Sequence, residues 1–318
     1  MSDQADKLRQ LALTSRSVTA SATALANDEQ CGPGDLPRPA SRRTTRSLLF
    51  TSGKGGVGTS NLVLNLAIAL GEMGQCVLVV DADLGLANLD LLCGLTPRYD
   101  LGDVLAGRCR LFDAVVAGPG DIQIVPGAHA IRTGAEDLEG GPGRLVAELG
   151  ELESESDFVL VDGGSGLGAG VAKLAAAADQ AVIVSTPEPT SIADAHAAIS
   201  RFRRLAAPPR LRVLVNQAAS GAEAALVLDR LVASSRQFLG TVVSPLGPGS
   251  IRVDPHVPMA VRSRRPFLTA FPGAVASRGV RRLARALVRE HDPPIRNRRA
   301  GFFTALAARW AFTLVARG

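Results

Sequence analysis

Thr51-Ser-Gly-Lys-Gly-Gly-Val-Gly-Thr-Ser60 is the stretch on which the fold turns. It reads as the end of a strand, a glycine-rich turn and the start of a helix. The phosphate-loop pattern G-x-x-x-x-G-K-[ST] uses backbone N–H groups to cradle phosphates and a lysine to reach the terminal ones. Gly53, Gly58 and Ser60 fit that pattern, but Thr59 stands in the lysine slot and a different lysine, Lys54, follows the first glycine. The candidate cradle is therefore Gly53, Lys54, Gly55, Gly56, Val57, Gly58, Thr59 and Ser60. A glycine-rich turn with no ligand is the plain alternative. Against it, one of only three lysines in the chain (Lys7, Lys54, Lys173) falls inside the turn. Ser47-Leu-Leu-Phe-Thr51 before it is an apolar run suited to a buried parallel strand. Asn61-Leu-Val-Leu-Asn-Leu-Ala-Ile-Ala-Leu70 after it has helical apolar spacing, and such a helix points its unpaired amides at the loop.

Working outward, apolar strands are expected at 47–51, 76–81, 122–125, 158–162, 181–185, 211–216 and 238–243. Helices are expected near 59–73, 143–153, 168–178, 191–205, 222–235 and 274–290. Alternating βα units with continuously apolar strands imply an α/β fold: a doubly wound, mostly parallel sheet with helices on both faces. Ligands then sit at the carboxyl ends of the strands, where the loop, Asp81, Asp83, Asp162 and Asn216 all fall. Residues 1–11 are expected to form a short helix, 12–46 a flexible linker, 47–292 the nucleotide-binding domain, and 293–318 a basic link and an amphipathic C-terminal helix. Hydrolysis of a nucleotide in this fold needs a cradle, a Mg²⁺ site, a group that orients water and a cation for developing charge. Ser60 is the candidate Mg²⁺ ligand, with Asp162 acting through water at the strand end.

Ser52-Gly-Lys-Gly-Gly-Val-Gly58 resembles the deviant Walker A loop of the MinD/ParA family of P-loop NTPases. Val79-Val-Asp-Ala-Asp-Leu-Gly-Leu-Ala-Asn-Leu-Asp90, Gly94-Leu-Thr-Pro97, Pro187-Glu-Pro-Thr-Ser-Ile-Ala-Asp194 and Phe271-Pro272 resemble its flagellar FlhG/FleN (YlxH) branch. Asp3-Gln-Ala-Asp-Lys-Leu-Arg9 matches the D-Q-A-x-x-L-R motif with which that branch stimulates the GTPase FlhF. The resemblance covers roughly residues 45–290 and this motif. It implies binding of ATP/ADP with Mg²⁺, an ATP-dependent homodimer in which Lys54 reaches the partner's nucleotide, and catalytic roles for Lys54 and for Asp83, the switch I carboxylate. It further implies that Asp81 lies near the metal and that Asn216 reads adenine. Asp3, Gln4, Ala5, Leu8 and Arg9 would meet an FlhF-type signal-recognition GTPase.

Two departures weaken turnover more than binding. Thr59 removes the cation that normally bridges the terminal phosphates, a loss of about 2–4 kcal/mol. Gly163-Gly-Ser-Gly-Leu-Gly168 replaces a stiffer segment after Asp162.

Composition bounds the partners. The net charge is +5, yet residues 251–318 hold 14 Arg and 3 acids, a local net of +11 that leaves the rest at −6. Such a basic end suits an anionic membrane surface or nucleic acid, and no sequence-specific nucleic-acid binding is expected. On a helical wheel Phe302, Phe303, Leu306, Trp310 and Leu314 share one stripe flanked by arginines, as in an interfacial membrane helix; a helix docked on protein is the alternative. No signal peptide, C-x-x-C pair or spanning apolar run is seen. The expected location is cytoplasmic, peripheral to the inner face of the cell membrane. The leading reading is an ATP-binding regulator of flagellar number or placement with slow or lost ATPase activity. A non-hydrolysing adaptor of the same fold stands beside it, and a ParA-like DNA partition or cell-division positioning ATPase ranks last.

Overall fold

The computed structural model describes residues 45–83, 87–128, 141–290 and 301–315, with backbone alone for 141–144 and 309–315. The elements run β1 (Arg46–Ser52), α1 (Thr59–Gly71), β2 (Val77–Asp81), α2 (Leu89–Cys93), α3 (Leu101–Leu105), α4 (Leu111–Ala114), β3 (Val116–Ala117) and β4 (Gln123–Val125). They continue with α5 (Gly141–Ser154), β5 (Phe158–Ser165), α6 (Ala169–Ala177), β6 (Gln180–Ser185), α7 (Pro189–Phe202), β7 (Arg210–Ala218), α8 (Gly221–Leu239) and β8 (Ser244–Arg252). The last are α9 (His256–Arg262), α10 (Phe267–Ala270), α11 (Val275–Arg289) and α12 (Phe302–Val315).

The strands form one sheet in the order β3-β4-β2-β5-β1-β6-β7-β8, parallel except for the β3–β4 pair at the edge. β1 lies centrally, paired to β5 and β6. Its alternation shows why the strands are apolar throughout. Leu48 and Phe50 enter one core with Val79, Leu160, Val182 and Leu214, roofed by α1 and α11. Leu49 enters the other with Val161, Ile183 and Val213, roofed by α5 to α8. The central strands thus bury both faces, as a parallel sheet between helix layers requires.

Six of the seven expected strands are present, and each helix expected between residues 59 and 290 is present within a few residues, while the helix expected at 1–11 lies outside the described residues. The strand expected at 238–243 is a correction. Phe238 continues α8 and is exposed, and the edge strand is Ser244-Pro-Leu-Gly-Pro-Gly-Ser-Ile-Arg252. Its prolines and glycines read as loop in sequence; an edge strand tolerates them because one side needs no ladder partner.

The C-terminal helix brings a second correction. Phe302, Phe303 and Leu306, expected to face a membrane, are buried in the core beneath α5 and α6. Glu153 of α5 fixes the start of α12. Its carboxylate accepts the Phe302 and Phe303 N–H groups at 2.5 and 3.1 Å, satisfying amides that the helix itself cannot pair. Three apolar side chains of a short helix thus find a protein surface before they find a lipid one. Trp310 and Leu314 lie on the same helix, beyond the described side chains. No helix among the described residues is long and apolar enough to cross a membrane.

Candidate nucleotide-binding site

β1, β2, β5 and β7 deliver the candidate residues to one end of the sheet. The loop leaves β1 at Ser52 and enters α1 at Thr59. Gly58 is its pivot, with φ +87° and so little space that an added Cβ would lie 2.8 Å from the Asn216 amide nitrogen. Asn216 donates to the Val57 carbonyl at 2.8 Å, and Gln217 donates to the Gly56 carbonyl at 3.2 Å. Two side-chain amides from β7 thus take up loop carbonyls. A loop whose carbonyls are held outward is arranged to turn its N–H groups to an anion, beside the N-terminus of a 13-residue helix. The Asn216 nitrogen thus braces the loop, a use that its place at a strand end did not suggest. Gln217 was missed by sequence reasoning. Its φ of +59° marks a constrained position, which is not legible in sequence.

Lys54 is half-exposed and ion-paired to Glu188, at the N-terminus of α7, with Thr190 Oγ1 at 3.4 Å. The lysine expected to act in a second subunit is held within its own chain. Glu188 lay inside a segment singled out from sequence, though without this role. Gly53 lies against Asp194 of the same helix, while Gly55 and Gly56 form the exposed crown of the loop.

Three carboxylates sit opposite. Asp162 ends the apolar run of β5 and is buried; burial, with the Asp81 charge next, pushes its carboxyl up to about 7, while the Ser60 hydroxyl and the Gly164 N–H oppose the shift. Oδ1 accepts from Gly164 N at 3.0 Å, and Oδ2 is buried with no partner of normal geometry. Asp81 is buried and raised by the same desolvation. Its oxygens accept from Asp83 N at 3.2 Å, Asn88 N at 3.0 Å and Leu89 N at 3.2 Å. Asp81 therefore anchors the switch segment and the start of α2, and it stands beside Asp162 on the adjacent strand. Asp83 is half-buried, and burial raises its carboxyl too. It packs on Gly164, whose φ is +63° and whose missing Cβ would lie 2.2 Å from the Asp83 carboxyl carbon. Switch I and the strand end after Asp162 thus touch through a carboxylate and a glycine.

The donors fit Mg²⁺. Ser60 and Asp162 offer hard oxygens, one of them an orphaned buried carboxylate atom. Among the described residues no cluster of three or more His, Cys, Asp or Glu forms a closed cage. Mg²⁺ commonly keeps waters and substrate phosphates and takes only one or two protein oxygens. Thr59 is buried, and its hydroxyl has no partner. A separate cavity of about 500 Å³ opens at the opposite end of the sheet, between Arg203, Arg210, Arg212, Thr241 and Ser244. Asp3, Gln4, Ala5, Leu8 and Arg9 lie outside the described residues.

Known proteins place this arrangement. A family profile described as an AAA domain matches residues 45–217. The antiactivator FleN of Pseudomonas aeruginosa is 36% identical over 242 residues, covering 76% of this chain and 86% of FleN. The flagellum site-determining protein YlxH of Helicobacter pylori is 39% identical over 160 residues, 49% of this chain and 53% of YlxH. Among solved structures, the septum site-determining protein MinD of Pyrococcus horikoshii, complexed with Mg-ADP, superposes with a TM-score of 0.62 at 26% identity, covering 77% of this chain and 97% of that one. Loop, sheet order and sequence agree: this chain belongs to the MinD/ParA family of P-loop ATPases, in its flagellar FlhG/FleN branch.

Proposed function

We propose that this chain is an ATP-binding regulator of flagellar number or placement whose hydrolysis is slow. The observation that carries the reading is the braced loop, with Asn216 and Gln217 on its carbonyls and Ser60 and Asp162 beside it. The kinship with FleN and YlxH supplies the flagellar context. Mg²⁺, when bound, neutralises phosphate charge. Ser60 and Asp162 would hold it, Asp83 would orient water, and Lys54 would move from Glu188 to phosphate on dimerisation. Thr59 leaves the terminal phosphates without their usual ammonium, which is worth roughly 30- to 1,000-fold in rate. The test is single-turnover hydrolysis of ATP by the native chain and by Thr59→Lys. A slow native rate that rises in the variant supports the reading. A variant no faster than the native chain would shift it to the non-hydrolysing adaptor, the alternative that Thr59 favours.

The finer partners rest on the two ends. The D-Q-A-x-x-L-R motif would place Gln4 in the active site of an FlhF-type GTPase, much as a GTPase glutamine orients water. Contact with an anionic membrane is supported by α11, where Arg278, Arg282, Arg285 and Arg289 are all exposed along one helical stripe. Each arginine near such a surface is worth about 1 kcal/mol. With α12 packed on the domain, insertion of its apolar side needs that helix to leave α5 and α6. Co-sedimentation with phosphatidylglycerol vesicles tests the surface: salt-sensitive binding that disappears in Arg282→Glu/Arg285→Glu is expected.

A further inference from the structure

The segments that build the site carry a charge imbalance that the family pattern does not have. Residues 52–60, 81–83, 162–165 and 216–217 contain one basic side chain, Lys54, and three acidic ones, Asp81, Asp83 and Asp162. Lys54 is already neutralised by Glu188. The position that would bring a second ammonium into the cradle holds Thr59, a buried neutral hydroxyl with no partner. A polyphosphate entering this site brings several negative charges to three gathered carboxylates: Asp81 and Asp162 are register partners on adjacent strands, and Asp83 packs on Gly164, two residues beyond Asp162. Among the described residues, the loop N–H groups and the α1 terminus stand against that repulsion with a fraction of a charge.

We infer that Thr59 makes nucleotide binding conditional on the divalent cation, so that this chain takes the metal complex of a nucleoside di- or triphosphate and rejects the metal-free nucleotide. The chain acts as a coincidence detector for metal and nucleotide. Ser60 and Asp162, with its orphaned Oδ2, offer oxygens to the metal, which then does the electrostatic work that lysine does in a complete loop. The inference rests on the nucleotide-site reading above and deepens it.

The experiment is calorimetric titration of ADP, which is not hydrolysed, into the full chain at fixed ionic strength, once with Mg²⁺ and once with excess EDTA. The native chain is expected to weaken at least about 100-fold without metal, and Thr59→Lys by no more than about tenfold, because a charge-assisted contact then survives metal removal. Thr59→Ala, which removes only a neutral hydroxyl, is expected to keep the native gap. Equal native affinity with and without Mg²⁺ overturns the inference. So does an equally large gap in Thr59→Lys, since the dependence would then belong to the metal ligands alone, and so does a narrowed gap in Thr59→Ala. A native chain that binds ADP under neither condition overturns the nucleotide-site reading as well, which separates the two failures.

Discussion

Asp162 shows what one buried carboxylate does to the whole chain. It titrates at 3.8 when solvated and at about 7 in the fold. Between those values the native state holds a proton that the unfolded chain has lost, so this contribution is full at low pH and disappears as pH rises towards 7. Asp81 and Asp83, also raised, act in the same direction. Denaturant unfolding of the metal- and nucleotide-free protein at pH 5 and 7.5 is expected to show Asp162→Asn flattening the decline relative to the native chain. A steeper decline in the variant would reverse the assignment. Gly164 is the second residue of this kind. An alanine there meets both an unfavourable φ and the Asp83 carboxylate. Gly164→Ala is expected to cost about 1–2 kcal/mol of stability and to lower ATP turnover further than ADP affinity, as parallel kinetic and binding measurements would reveal. For the loop braces, Asn216→Ala/Gln217→Ala is expected to weaken Mg·ADP binding by about tenfold, the scale of two modest hydrogen bonds, with the unfolding midpoint nearly unchanged.

At the scale of elements, α12 and α5 form a unit joined by charge as well as by packing. Glu153 serves as an N-terminal cap across a sequence separation of about 150 residues. Glu153→Ala is expected to destabilise α12 by about 1–2 kcal/mol and to speed proteolysis within residues 301–315. Phe303→Ala, a truncation in a closed core, is expected to cost about 3–5 kcal/mol of stability. If α12 is the membrane element, Glu153→Ala should also raise vesicle binding, because it exposes the same apolar side chains. Unchanged proteolysis in Glu153→Ala would mean that packing alone holds the helix.

At the scale of the molecule, the motif at residues 3–9 lies outside the described residues, and the reading above gives it a partner rather than a place in the core. Removing residues 2–10 is therefore expected to leave the thermal unfolding of the domain unchanged while abolishing stimulation of an FlhF-type GTPase. A loss of both would tie the motif to the fold instead. Ligand linkage offers a whole-molecule reading of the site: Mg·ADP at a hundredfold excess over its dissociation constant adds about 2.7 kcal/mol to unfolding. A shift in unfolding temperature with Mg·ADP, and none with ADP in EDTA, would report the metal dependence argued from Thr59.

By itself the sequence determined six of the eight strands of the sheet, the loop and the set of carboxylates. Short-range rules suffice for these: continuous apolar strands bury both faces, glycines mark the turn, and Asp162 ends a strand where the fold puts ligands. Tertiary structure decided how those residues are used. That Asn216 and Gln217 grip loop carbonyls, that Asp81 anchors backbone amides, and that Lys54 pairs with Glu188 depend on contacts between strands and helices distant in sequence. The destination of α12 was decided the same way. An apolar stripe specifies burial, but hydrophobic burial has no direction of its own, and the matching groove on α5 and α6 exists only once the sheet has folded.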